Sequence, residues 1–242
     1  MNNKRKSWIL FIAASFILTS LLSCGKEDDP EPPPPPTQDV RIYSKNETVL
    51  NKPIRDWIVE WQKSFLSQNC ENATTLSAGT IPGQNPLLVV LNGTILATGS
   101  ANITVQQNQS ILVPVAEVTY PTPTCPHYVY HIQPGQSAET FLTEAVVNVA
   151  NGLGDFFVRL DGVEIEDVDK FRYRTELFTL TPHPGLQQCY LLCHPEGELK
   201  FMTDGYFLVL KPLSPGVHTL HLNAKDVVFG IDFISTFNIT VN

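Results

Sequence analysis

The C-terminal segment carries the clearest alternation in the chain: Phe229, Ile231, Phe233, Phe237, Ile239 and Val241 share one side, and Asp232, Thr236, Asn238 and Thr240 the other. Side chains change face at every step along a strand, so this run predicts a half-buried β-strand. The same period marks 87–91 and 94–98 around Asn92-Gly93, and 156–160 and 163–165 around Asp161-Gly162. Asn-Gly and Asp-Gly adopt the positive φ angles of two-residue turns, so each pair predicts a hairpin. Further strands are expected over 101–105, 111–118, 127–132, 171–180, 206–211 and 217–222. Pro114 has no N–H for a ladder and marks an edge or a bulge in its strand. The almost wholly apolar 206–211 run marks a central strand.

Two stretches follow the helical period instead. Ile54, Trp57, Ile58, Trp61 and Phe65 recur at three- and four-residue intervals and predict a helix over 52–66, with Asn51 as N-cap and Pro53 in the first turn. Such a stripe docks a helix onto a sheet, the alternative being that Trp57 and Trp61 form a ligand-stacking platform. A second helix is expected over 138–149, capped by Ser137 and closed by Gly152 and Gly154. Many short strands, closely spaced turn signals, no repeated βα unit and 19 prolines predict a mainly β fold. The expected architecture is an antiparallel β-sandwich or jelly roll with one or two short helices packed on it.

The N-terminal pattern is of another kind. Lys4, Arg5 and Lys6 precede an apolar run over 7–22, and the small Ser23 stands before Cys24. A basic start, an apolar stretch and a small residue at the cut are the parts of a secretory signal. Leu21-Leu22-Ser23-Cys24 resembles the lipobox of bacterial lipoproteins, which implies a mature chain beginning at a lipid-bearing Cys24 and held by it in a bilayer. Gly25-Lys26-Glu27-Asp28-Asp29 resembles the lysine-plus-acidic signal that sends some Gram-negative lipoproteins to the outer face of the outer membrane; a solvated tether is the plainer reading. The prolines over 30–36 favour an extended polyproline form, so residues 25–39, at about 3.1 Å each, span a few tens of ångströms. The expected organisation is a signal peptide over 1–23, a Pro-rich acidic tether over 24–40 and a single β-sandwich ectodomain over 41–242.

Charge narrows the partners. The whole chain has a formal net charge of −8, and removing the leader with its three cations makes the remainder more negative still. Nucleic-acid binding needs a basic surface, so that partner class is excluded. Cys70, Cys125, Cys189 and Cys193 remain after Cys24, an even number that favours disulfides in an exported chain. The preferred pairing is Cys70 with Cys125 and Cys189 with Cys193. The second pair falls in a segment too rich in Pro and Gly for a strand, where an i,i+4 pair would stand about 13 Å apart. The alternative is a metal site of Cys189, Cys193, His194 and His183, although its spacing matches no common zinc module.

The candidate chemistry is sparse. No G-x-S-x-G, H-E-x-x-H, phosphate-binding glycine loop or dinucleotide fingerprint occurs. Ser137 follows Gly135-Gln136 but lacks the second glycine of a nucleophile elbow and reads as a cap. Glu164, Glu166, Asp167 and Asp169 form an acidic cluster that suits glycoside hydrolysis or calcium, or simply a solvated face. His127 and His131 would stand about 13 Å apart in a strand, too far for one metal. His218 and His221 point to opposite faces, with His218 beside Leu220 and Leu222 as a satisfied core histidine. Arg172 and Arg174 line one face beside Glu176 and suit an anionic ligand or a surface ion pair. The loop over 181–198, with His183, Tyr190, His194 and Asp204 at its exit, is the best functional candidate by position. No catalytic residue, metal ligand or cofactor is assigned.

Asp161-Gly162-Val163, Phe171-Arg172-Tyr173-Arg174, Asp204-Gly205-Tyr206-Phe207 and the stretch from Pro212 to Leu220 together resemble a group of secreted microbial β-rich proteins. The likeness spans most of 53–242 and implies the fold and secretion, adding no catalytic residue. Gln107-Asn108-Gln109 departs from it, since the group tends to carry a proline-glycine turn there. The expected function is a surface-anchored binding module for a glycan, peptide or protein partner. A hydrolase with a carboxylate or His site, and a structural envelope component, are the alternatives.

Overall fold

The computed structural model describes residues 39–92, 98–189, 194–227 and 230–242. Contacts divide the chain into Met1–Thr37 and Gln38–Asn242, and all the elements below belong to the second unit. The predicted leader, Cys24 and the proline tract lie outside the described residues, as do Gly93, Tyr190 and Cys193.

A two-residue ladder of β1 (Thr48–Val49) with β2 (Lys52–Pro53) leads into helix α1 (Ile54–Leu66) and the short helix α2 (Cys70–Ala73). Then come β3 (Ser77–Thr80), β4 (Leu88–Asn92), β5 (Gly99–Val105), β6 (Ser110–Thr122), helix α3 (Ala138–Ala150), β7 (Leu153–Leu160) and β8 (Val163–Glu164). β9 (Arg172–Arg174), β10 (Phe178–Leu180), β11 (Leu199–Leu210), β12 (Gly216–Asp226) and β13 (Ile231–Val241) complete the order. One sheet runs β10-β11-β6-β4-β3, with β9 also on β11, and the other β5-β13-β12-β7-β8. The two share one apolar core, so the mainly β sandwich with short helices holds.

Pairing is antiparallel except for β4 with β6 and β5 with β13, which run parallel. The Asn92-Gly93 hairpin lies outside the described residues, which omit 93–97. β4 is buried along its whole length and pairs with β3 on one side and β6 on the other, while β5 joins the opposite sheet. A strand apolar on both faces belongs in a sheet interior. The Asp161-Gly162 hairpin forms between β7 and β8, both turn residues having positive φ.

Alternate residues of β11 sort the layers. Phe201, Thr203, Gly205 and Phe207 share one face; there Phe201 stacks on Phe178, Trp61 of α1 meets Phe207 edge-on at 5.7 Å, and Trp57 Nε1 donates to Val49 O at 2.8 Å. The tryptophan stripe is therefore core. Met202 on the other face packs with Tyr120 beneath Phe141, Leu142, Ala145 and Val146 of α3, and Tyr206 meets Phe156 of the second sheet at 4.2 Å.

Three local expectations need correction. The first helix begins at Ile54, because Leu50 and Asn51 take positive φ to turn β1 into β2, and Asn51 is not its cap. Residues 127–132 form no strand: Tyr128 and Tyr130 lie in a loop whose rings pack on Tyr120. The 171–180 strand breaks into β9 and β10, with Thr175 to Leu177 between them. At Pro114 the bulge reading holds, since the β6–β11 register slips one residue between Tyr206 and Phe207 and leaves Val115 over. Gly205 faces the same stretch. A Cβ there would lie 2.5 Å from Ala116 O and from Glu117 Cα, so only glycine fits.

Candidate functional site

β9 and β10 form an edge of the first sheet, and the break between them opens a groove. The groove, of about 720 Å³, is bounded by Thr175, Glu176 and Leu177 of the break, Lys200 and Met202 of β11, the first turn of α3, and Arg55. A second pocket of about 320 Å³ holds Lys45, Glu47, Arg172 and Tyr173, and shares Arg55 and Arg174 with the first. Arg55 comes from the first turn of α1, Arg174 ends β9, and Ser137 caps α3 by accepting from Thr140 N at 3.1 Å. Both helix N-termini carry partial positive charge, so the dipoles add to the cationic side chains.

Of the predicted site residues, Arg172 and Arg174 divide. Arg172 Nε and Nη2 hold the two Asp204 oxygens at 2.6 and 3.0 Å, and Nη1 donates to Asn151 Oδ1 at 2.7 Å. Asp204 is buried under this grip, and the ion pair of Arg172 is made with it. Arg174 is exposed and forms no hydrogen bond or ion pair among the described residues. Arg55, Lys200, Glu139 and Glu176 are likewise unpaired there, although all five line one groove.

The cysteines correct both earlier readings. Cys70 bonds to Cys189, 119 positions further along the chain, with a Cα–Cα distance of 5.6 Å. Cys125 is also disulfide-bonded. The preferred pairing fails because α2 packs on the 3₁₀ turn Pro184–Gln188, which brings Cys189 to the first residue of α2. A metal held by Cys189 and His183 is excluded on the same grounds, since His183 Nδ1 accepts from Gly185 N at 2.9 Å as a turn cap. His194 is buried, with Nδ1 3.0 Å from Pro195 O. The acidic residues stay apart from these: Glu164 lies on β8 of the other sheet near Arg159, and Asp167 pairs with Lys170.

One arrangement has the composition of a catalytic triad. His218 Nδ1 lies 2.6 Å from Asp161 Oδ2, and Nε2 lies 2.9 Å from Ser214 O and 3.5 Å from Ser214 Oγ. A carbonyl oxygen only accepts, so Nε2–H donates to it, and Nδ1–H donates to the Asp161 carboxylate. The ring is thus an imidazolium, with no lone pair to receive the serine proton. Burial is the largest single influence on His218 and opposes its charge, but the Asp161 bond, the Ser214 carbonyl and the Asp161 charge together outweigh it and raise the pKa; at Asp161 the bonds from His218 and Thr219 N, with the nearby positive charges, together outweigh burial and lower it. His218 is therefore the satisfied histidine expected, acting as a clasp on the hairpin tip.

A polar chain runs beneath α1. Thr119 Oγ1 donates to Glu117 Oε2 at 3.0 Å and lies 2.7 Å from Thr203 Oγ1, while Thr203 N donates to Thr175 Oγ1 at 3.0 Å. Glu117 keeps a partly exposed edge, but protein packs densely around its carboxyl, and burial pushes its pKa up to about 7. The Gln62 amide sits beside it, buried and without a well-formed hydrogen bond.

Arg55 and Lys200 were absent from the sequence candidates. Arg55 had a signal: a cation in a helix's first turn opposes the dipole and is disfavoured there on stability grounds. Lys200 had none, because only β-pairing sets it beside α3. No protein-family model, curated protein or solved structure matches the chain.

Proposed function

We propose that the chain is a lipid-anchored binding module of the outer membrane. Acylated Cys24 holds it in the bilayer, the proline tract spaces the domain from the surface, and the groove at the β9–β10 edge takes a glycan, peptide or partner protein. The observation that carries this is the set of five charged side chains, Arg55, Arg174, Lys200, Glu139 and Glu176, which line one groove and remain unpaired among the described residues. Charged groups gathered in one concavity and not neutralised by each other are available to a ligand. Arg55 and Glu139 project from two helix starts, Arg174 from a strand end and Lys200 from a central strand, elements that hold them in place, while Glu176 lies in the break between β9 and β10.

Two measurements on the full-length chain test this. Intact mass of the membrane fraction should show a chain starting at Cys24 with added acyl mass; a precursor starting at Met1 overturns the anchor. The lipidated protein in detergent micelles is then screened against arrays of oligosaccharides and peptides, with hydrogen exchange mapping each hit. Saturable binding that protects residues 174–177 and the start of α3 supports the module. If nothing protects the groove, the structural-component alternative takes its place; turnover of any hit restores the hydrolase.

A further inference from the structure

We propose that the groove takes an acidic oligosaccharide, a glycan whose carboxylates recur among many hydroxyls, with one carboxylate held between Arg55 and Arg174. This deepens the binding-module reading and rests on it. Arg55 and Arg174 belong to both the larger groove and the smaller pocket, so an extended ligand passing from one to the other crosses these two guanidiniums. A guanidinium presents a planar fork of N–H donors that matches the two oxygens of a carboxylate. Both arginines are exposed and unpaired among the described residues, and Lys200 adds a third free cation further along.

The rest of the lining selects among anions. Glu139 and Glu176 stand unpaired in the same groove, where they accept hydrogen bonds from sugar hydroxyls and repel a ligand that carries several negative charges on a unit. The chain's own charge of −8 adds to that repulsion, which disfavours nucleic acid and heavily sulfated chains. Thr175 is 3 % exposed and its oxygen accepts from Thr203 N, leaving its own hydrogen to donate to a ligand oxygen. Acidic peptides fit less well. Peptide grooves gain affinity from apolar or aromatic anchors in pockets, whereas Ala138, Leu177 and Met202 are all the apolar lining the larger groove has.

The test is titration calorimetry on the full-length lipidated chain in micelles. The probes are hexamers of galacturonate, of mannuronate and of hyaluronan, each beside its carboxyl-reduced counterpart, together with a heparin hexasaccharide. At least one acidic hexamer should bind about tenfold or more tightly than its reduced form, with affinity falling as salt rises. Arg174→Ala and Arg55→Ala should each weaken that hexamer about tenfold, and Arg174→Lys, which keeps charge but loses the fork, should fall between. Both sites are exposed, so melting temperatures should not move; if one variant fails to fold, Lys200→Gln gives the same readout. Equal binding of acidic and reduced hexamers overturns the inference, as does tighter binding of heparin. If no acidic hexamer binds while the array screen finds a neutral glycan or a peptide in the groove, this inference falls and the binding module stands. If no ligand of any kind protects the groove, both fall.

Discussion

Arg172 and Asp204 meet diagonally across β9 and β11, where Arg174 stands opposite Asp204 in the ladder, and the Arg172 guanidinium places two of its donors on the two carboxylate oxygens of a residue only 2 % exposed. A buried carboxylate that loses its partner stays desolvated without compensation, at a cost of about 3–5 kcal/mol. Arg172→Ala should therefore destabilise the domain by roughly 3 kcal/mol, towards the low end of that range because 26 % of the arginine side chain is exposed. Chemical denaturation of Arg172→Ala, Asp204→Leu and the double variant measures the coupling. Strict additivity would mean that the pair contributes nothing of its own.

Cys70 and Cys189 join α2 to the 3₁₀ turn of the long loop across 119 residues of chain. Closing a loop of that length restricts the unfolded ensemble, and losing such a bridge typically costs about 2–5 kcal/mol. Non-reducing peptide mapping should recover the Cys70 and Cys189 peptides joined, and Cys70→Ser with Cys189→Ser should lower the denaturation midpoint. Recovery of Cys189 joined to Cys193 would contradict the fold around α2.

Features set by neighbouring residues were readable along the chain, and features set by distant ones were not. The Trp57–Trp61 stripe, the Ser137 cap and the Asp161-Gly162 turn each depend on a few consecutive side chains, and each stands where the pattern put it. The parallel pairing of β5 with β13 joins residues more than a hundred positions apart, with no local signal to announce it. Tyr128, Val129 and Tyr130 show why alternation alone misleads: the period-two pattern is present, but the tyrosine rings pack on Tyr120 from a loop and no ladder forms. For the groove, Arg174 was legible because it lies beside Arg172 in one short run. Arg55, Glu139 and Lys200 reach it from three other elements, and only tertiary contact brings them together.

The clasp between His218 and Asp161 should give stability a window in pH. His218 has its pKa raised above the ordinary 6.5, so its contribution is fully present below the unfolded value and is lost as pH rises through the folded one. Asp161 has its pKa lowered below 3.8, so its contribution is present above that value and is lost as pH falls through the folded one. The melting temperature of the wild type should exceed that of His218→Ala by the widest margin between these limits, with the gap closing on both sides. A gap that stays constant from acid to alkaline pH would mean the pair is not ionised as described. Ser214→Ala should leave the profile unchanged, because the histidine is bound to the serine carbonyl as well as to Asp161.

Glu117 should lower stability as pH rises, in the same sense as His218 and against Asp161. Its carboxyl titrates at about 7 in the folded domain against an ordinary 4.5, because burial disfavours the charged form more than the bonds from Thr119 and Gln62 favour it. Between those two values the native state binds more protons than the unfolded one, so stability falls as pH rises across the interval. Gln is uncharged at every pH and keeps the shape, so Glu117→Gln should melt above the wild type at pH 8 and close to it at pH 4. Gly205 presses on the same residue, and its own replacement by Ala would shift the Glu117 backbone and confuse the readout, which is why the carboxyl itself is the position to change. Carbon-detected titration of the Glu117 carboxyl gives the second measurement, with a midpoint near 7 expected. Superimposable melting profiles for wild type and Glu117→Gln across pH 4–8 would show that the carboxyl is hydrated, and that the polar chain from Glu117 to Thr175 ends in solvent.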